Sequence, residues 1–451
     1  MHTSAIKATA KALVADYKGI LAIDESLPTC NKRFAKLGIP QSVESRRNYR
    51  ELLITTPGLS DFISGMILFD ETIRQKTLEG VPFIKIIEEA GIIPGIKVDM
   101  GTKDLAGHPQ EKITQGLDGL RERLADYHRL GARFAKWRAV LVINTAIPSQ
   151  SCIDANAQAL ARFASLCQEA GLVPIVEPEV LMDGNHSLAR CNEVTEKVLR
   201  SVFNHLSTQR VLLEGMILKC NMILPGLACQ KQESLVQVAE ATVKCLLRAV
   251  PPSVPGIAFL SGGQSSELAS ARLNEMNLRF KSKLPWELSF SFGRALHQRA
   301  LEIWKGLETN VPAAQQSLLH RAKCNGAARH GLYTHELENS SKTNPGFFND
   351  KEDLPGYPVY PAEEDIYSKY HEGRNIDPED VSKTKSANES NVGRNLEINE
   401  MNETGDDLDI PGLEQNDNLD ESLNEDEENN YFSLGGDAHE DLEEYHEERI
   451  L

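Results

Sequence analysis

The sequence predicts an α/β fold, a (β/α)8 TIM barrel followed by a long, acidic, disordered C-terminal tail. Three observations carry that prediction. Eight short apolar runs recur between residues 19 and 292. Helical periodicity fills the gaps between them. From about residue 340 the apolar pattern stops, and Pro, Asn and acidic residues take over.

The runs are GILAID (19–24), ISGMILF (63–69), GIKVD (95–99), RFAKWR (133–138), VPIVEPE (173–179), EGMILKC (214–220), GIAFLS (256–261) and ELSFSF (287–292). Each is aliphatic or β-branched and strand-sized, the pattern of a strand covered on both faces. Between them, Ile153, Ala157, Leu160, Ala164 and Cys167 mark one face of a helix that Gly171 stops. Leu235, Val238, Thr242, Cys245 and Ala249 repeat the pattern over 232–249. The start, MHTSAIKATAKALVADYKG, reads as a short amphipathic helix. An open doubly wound sheet is the competing fold. It would place a glycine-rich phosphate loop after the first strand, and LAIDESLPTC holds no glycine.

Charge divides the 451 residues into two parts. The chain carries 66 acidic and 48 basic residues; 32 acids and 7 bases fall in 346–451, leaving 34 acids and 41 bases in 1–345. The balances are -25 and +7, so a barrel over 1–340 and an acidic tail over 341–451 are expected. Low hydropathy and high charge cannot offset the entropy of ordering such a tail. It reads as a solubilising appendage, a ligand for a basic protein partner, or a competitor for an anion site on the body. Nothing in this composition suggests nucleic-acid binding. No run approaches a membrane span, so a cytoplasmic protein is expected. The eight cysteines hold no Cys-x-x-Cys pair, and His2, His108, His128, His186 and His205 are dispersed. No metal site is expected from them.

Three lysines sit inside apolar runs: Lys97 in GIIPGIKVDM, Lys136 in ARFAKWRAVLVI and Lys219 in EGMILKCNMIL. A buried ammonium is costly unless it is paired or neutral. A desolvated lysine beside a second cation loses its proton more readily and becomes a nucleophile for carbonyl carbon. The other strand ends carry Asp24, Arg138, Glu177, Glu179, Ser261 with Gly262 and Gly263, and Ser291 through Gly293 to Arg294. In a barrel these converge on the C-terminal face, where active sites are built. An ion-pair layer plugging the barrel mouth is the plainer reading for any one residue. Complementary ionisable groups on five strand ends favour catalysis. SGGQSS and SFGRAL follow strands seven and eight, the usual place of a barrel's phosphate site, and Arg294 supplies a bidentate donor.

The strings LAIDES, ISGMILF, GIKVD, GLDGLRER, FAKWR, VPIVEPEVL, ILKCNM, FLSGGQS and SFGRAL, in that order, resemble the class I, Schiff-base fructose-bisphosphate aldolases. The resemblance runs from about residue 5 to 335. It implies a (β/α)8 barrel, a homotetramer, no metal or other cofactor, and a sugar-phosphate substrate in glycolysis or gluconeogenesis. It implies that Lys219 forms an imine with the ketose carbonyl, that Glu177 is the general acid/base, and that Glu179 is its carboxylate partner. Asp24 would orient the substrate beside the lysine, and Lys136 would be the cation of the site. Ser261, Gly262 and Arg294 match one phosphate site; Ser26, Arg33, Arg46 and Lys97 match residues toward the other; Arg138 matches a site arginine. Cys220 stands where the family commonly has proline, and Phe292 where it commonly has tyrosine. The family's chains end in a tyrosine that assists proton transfer; here the last tyrosine is Tyr445, and altered preference between bisphosphate and monophosphate is an expectation. An aldolase-fold scaffold acting through the acidic tail is the alternative.

Overall fold

The eight runs close into one parallel barrel. The structure, a computed structural model, describes residues 3–340; the tail expected over 341–451 lies outside the described residues. The strands are β1 (Gly19–Ile23), β2 (Ile63–Leu68), β3 (Ile93–Lys97), a small antiparallel hairpin of β4 (Thr102–Asp104) and β5 (Lys112–Thr114), then β6 (Phe134–Leu141), β7 (Val173–Val180), β8 (Ile217–Cys220), β9 (Gly256–Phe259) and β10 (Glu287–Phe292). The barrel order is β1-β10-β9-β8-β7-β6-β3-β2, each strand beside its sequence neighbours once the hairpin is set aside. The competing open sheet is excluded.

Strand ends shift by up to three residues from the sequence reading, and two of the shifts have a clear local reason. β8 starts at Ile217 rather than Glu214, because Leu213–Gly215 form a 3-10 turn. The carbonyls of Leu212 and Gly215 accept from Gln168 Nε2 at 2.8 and 3.2 Å instead of joining the ladder. β3 ends at Lys97 rather than Asp99, because the Asp99 carboxylate turns the chain by accepting from Gly101 N at 3.2 Å. The hairpin is missing from the sequence reading; three-residue strands carry no periodicity to read.

Serines start the helices on the site face. Ser149, Ser187, Ser234 and Ser265 cap helices Gln150–Glu169, Leu188–Thr208, Leu235–Ala249 and Ser266–Phe280, each side-chain oxygen accepting from the third amide on. Such a cap contributes about 1 kcal/mol and fixes where the loop ends.

The interior is layered. At the N-terminal end of the barrel, helix Thr3–Leu13 inserts Ile6, Ala10 and Leu13, which with Val14 pack on Ile20, Ala22, Phe134, Val173 and Ile217. Gly65 and Gly95 leave room for Phe134: a Cβ at Gly95 would lie 2.2 Å from its ring. Burying that ring contributes roughly 1.5–3 kcal/mol. Side chains alternate along each strand, so the next inward positions are Asp24, Lys97, Lys136, Glu177 and Lys219. The apolar plug lies below this polar layer, on the side away from the C-terminal mouth. Among the described residues no helix is long and apolar enough to cross a membrane.

Candidate active site

Four side chains form an alternating chain of charge across the barrel mouth. Lys219 Nζ lies 2.9 Å from Glu177 Oε1, Lys136 Nζ lies 3.3 Å from Glu177 Oε2, and Lys136 Nζ lies 2.9 Å from Asp24 Oδ2. All four are fully buried. Burying an ion costs several kcal/mol after relaxation, and that cost is offset only where each charge meets an opposite one. Here each does. The sharing of Glu177 between two lysines is the feature a purely structural ion pair does not need.

A second set flanks it. Lys97 and Lys136 are abreast in the β3–β6 register, but Lys97 turns away to Asp99, at 2.8 Å. Asp99 also accepts from the Arg138 backbone amide at 3.3 Å. Burial pushes the Asp99 carboxyl up; Lys97 and Lys136 outweigh it and hold the acid below its ordinary range. Arg138 Nε donates to Glu179 Oε2 at 2.6 Å, fixing the second β7 carboxylate two residues beyond Glu177.

Beyond β1 the chain enters a helix, Leu27–Lys36, with Ser26 as its cap. Glu25 is the hub there. Its carboxylate lies 2.5 Å from Arg33, 2.5 Å from Arg50 and 3.2 Å from His297 Nε2. Burial raises its pKa, but Arg50, His297 and Arg33 together hold it well below the usual carboxylate range. His297 Nδ1 shares a 2.8 Å hydrogen bond with Tyr49 OH, and burial lowers the imidazole's pKa. Arg46 grips Glu71 through Nε and Nη2 at 2.9 and 2.8 Å, and Asn31 through Nη1 at 2.9 Å. Arg33 is thereby tied to the strand end that carries Asp24, whereas Arg46 is held in an outer ion pair.

The loops after β9 and β10 leave neighbouring strands. Gly262 and Gly263 adopt φ of 55° and 79°, a left-handed turn that side chains disfavour. A Cβ at Gly262 would lie 1.9 Å from Met182 Cε. The turn is braced: Gln264 Nε2 donates to Ser261 O at 2.7 Å, and Arg272 Nη1 to Gln264 Oε1 at 2.6 Å. Arg294 opens the next helix, Arg294–Trp304, directly after Gly293.

The structure therefore unites Asp24, Lys136, Glu177 and Lys219, pairs Glu179 with Arg138, and sets Ser26, Lys97, Ser261 and Gly262 on strand ends and loops of the same face, with Arg33 and Arg294 on helices that follow β1 and β10. The sequence reading missed Glu25, Arg50, His297, Asp99, Gln264 and Arg272. Glu25 alone had a signal, as a second acid in the strand-end string AIDES.

The family model for class I fructose-bisphosphate aldolase matches residues 5–353. The chain belongs to the class I fructose-bisphosphate aldolase family. A probable class 1 fructose-bisphosphate aldolase of Xanthomonas campestris pv. campestris is 58% identical over 334 residues, covering 74% of this chain and 99% of that protein. Cytosolic fructose-bisphosphate aldolase 6 of Arabidopsis thaliana is 54% identical over 316 residues, 70% of this chain and 88% of the relative. A Plasmodium falciparum fructose-bisphosphate aldolase, solved as a ternary complex with TRAP and a small-molecule inhibitor, superposes with a TM-score of 0.73 at 49% identity, over 74% of this chain and 96% of that one. The aldolase matches span the barrel, the part that carries the site.

Proposed function

We propose that this chain is an aldehyde-lyase that cleaves fructose 1,6-bisphosphate reversibly to dihydroxyacetone phosphate and glyceraldehyde 3-phosphate through a Schiff base on Lys219. The observation that carries the reading is the buried Asp24–Lys136–Glu177–Lys219 chain. The free amine of Lys219 attacks the ketose C2, and Glu177, 2.9 Å away, supplies and removes the protons that expel water from the carbinolamine. The protonated imine then draws the electrons of the C3–C4 bond into an enamine. The C4 hydroxyl gives its proton to Glu177, and the aldehyde leaves. Protonation at C3 and hydrolysis of the imine release the second triose and restore Lys219. Lys136 supplies the fixed positive charge beside Glu177, and Asp24 holds Lys136 and the substrate hydroxyls. Glu179 acts with Glu177 and is kept in place by Arg138.

Ser261, Gly262 and Arg294 take one phosphate. Ser26, Arg33 and Lys97 lie toward the other, with Arg46 contributing from its pair with Glu71. No step requires a metal or an organic cofactor. The enzyme acts in the cytoplasm, in glycolysis and gluconeogenesis, as a homotetramer. The acidic segment beyond residue 345 favours one additional role, binding a basic protein partner; a pull-down in which 346–451 retains nothing beyond a charge-matched control rejects it.

Borohydride added with fructose 1,6-bisphosphate and excess chelator tests the central claim. A substrate-sized adduct on Lys219, found by peptide mapping and absent in Lys219→Ala, is expected. An unmodified Lys219, or cleavage that survives Lys219→Ala, rejects the imine.

A further inference from the structure

We propose that His320, Cys324 and Glu338 form a site for one thiophilic divalent cation, zinc by its chemistry, that staples the short helix His335–Asn339 to the long helix Val311–Ala328. The expectation of no metal site rested on dispersed histidines and absent Cys-x-x-Cys pairs, and it passed over His320 and Cys324, four apart on one helix face. Their ligand atoms, Nε2 and Sγ, are 3.5 Å apart. Zinc with nitrogen at about 2.05 Å and sulfur at about 2.3 Å in a tetrahedron sets that edge at about 3.6 Å. A Glu338 carboxylate oxygen completes a triad whose atoms all lie within 4.8 Å of one another. Thiolate, imidazole and carboxylate together suit zinc rather than calcium or magnesium. Three protein ligands leave the fourth position for water.

The surroundings orient these ligands. Tyr333 OH donates to Glu338 Oε2 at 2.8 Å, and Arg321 pairs with the same carboxylate. Arg321 is itself fixed on Ser266 O at 2.9 Å and Ser270 Oγ at 2.7 Å. Supports of this kind hold a metal's ligands in direction. Binding displaces the thiol proton: one Zn–S bond forms, one S–H bond breaks, and one proton goes to solvent. Half-buried His320 and Glu338 give the ion its entry.

The staple answers a weakness in the fold. His335–Asn339 has five residues and buries none of them, so it is too short to hold itself and lacks an apolar anchor. Its polar contacts include His320 Nε2 donating to Glu338 O at 3.0 Å, a bond that the ring gives up when that nitrogen takes the metal. The site belongs to the outer helices, takes no part in the chemistry at Lys219, and is independent of that assignment.

The test uses untagged, chelator-stripped full-length protein titrated with cobalt(II) as a spectroscopic probe and with zinc by calorimetry. One equivalent of cobalt giving a thiolate charge-transfer band and tetrahedral visible bands is expected. Cys324→Ser should lose the thiolate band, and both Cys324→Ser and half-exposed His320→Ala should weaken zinc roughly 100-fold. X-ray absorption of the zinc-loaded wild type, which needs no variant to fold, should show one sulfur at about 2.3 Å among nitrogen and oxygen. Absence of the band at one equivalent, its survival in Cys324→Ser, or a zinc shell without sulfur overturns the site.

Discussion

Glu177 does its work by standing between two lysines, and that placement fixes what its loss should do. Glu177→Gln keeps the volume but removes the proton acceptor 2.9 Å from Lys219. The expected result is a fall in kcat of about 10²–10⁴-fold, the usual contribution of a positioned acid/base, with KM little changed. A parallel rise in KM with kcat intact would place Glu177 in binding instead. Glu25, one residue past Asp24, makes a stability prediction. Its pKa is depressed in the fold, so the carboxylate's contribution is fully present above the unfolded value of about 4.5 and is lost as pH falls below it. Glu25→Gln leaves Arg33 and Arg50 buried without their counter-charge, which costs about 3–5 kcal/mol at neutral pH. Denaturation curves of the two proteins should differ by that amount at pH 7 and converge as pH drops below about 4.5. A gap independent of pH would assign the loss to packing. Single residues were legible where they broke a local pattern: Lys219 stands out in EGMILKCNMIL because an ammonium does not belong there. His297 does not stand out in GRALHQRAL, since its partner Glu25 is far away in sequence and periodicity carries no such pairing.

Among the elements, the join between the last helices and the barrel is the most exacting. Arg329 is fully buried just past helix Val311–Ala328. It donates to the carbonyls of Val14 at 3.1 Å, Lys18 at 2.6 Å and Leu288 at 3.2 Å, to Ala15 O, and to the Glu287 carboxylate at 3.0 Å. One guanidinium thereby ties the N-terminal plug, β10 and the C-terminal helices together. Arg329→Met fills the space but strands these carbonyls, each worth about 1–3 kcal/mol when left unsatisfied and buried. A loss of about 3 kcal/mol or more in chemical denaturation is expected, with kcat unchanged in the protein that remains folded; a loss under about 1 kcal/mol would mean that water replaces the guanidinium. The strands themselves were readable because burial on both faces makes each an apolar run between polar loops, and seven of the eight start within two residues of where the runs begin. β8 was overread by three residues because Glu214 and Gly215 sit in a turn that only Gln168, on another element, explains. The serine caps went unread although the residue type favours them, whereas the hairpin β4–β5 and the brace Gln264–Arg272 exist only through contacts the string cannot display.

On the scale of the whole molecule, charge is distributed against itself. Residues 1–345 carry a balance of +7, and the cations that face the barrel mouth are those proposed to hold two phosphates, while 346–451 carry -25. A polyanion tethered to a phosphate-binding enzyme competes with its substrate through the same long-range field that attracts the substrate. Screening decides how strongly. The Debye length is about 30 Å at 0.01 M ionic strength, about 10 Å at 0.1 M and about 3 Å at 1 M. Ending the chain at residue 345 should therefore lower KM for fructose 1,6-bisphosphate several-fold at about 0.01 M ionic strength, and the two proteins should become indistinguishable toward 1 M. Fructose 1-phosphate, with one phosphate fewer, should show a smaller difference between them, because less of its binding is electrostatic. kcat should not move, since the buried chain from Asp24 to Lys219 is complete without the acidic segment. Equal KM at every ionic strength would leave the segment without any hold on the site. A change in kcat that salt does not erase would instead mean that it contributes a group to the chemistry, and substitution of Tyr445 would then be the next variant to assay.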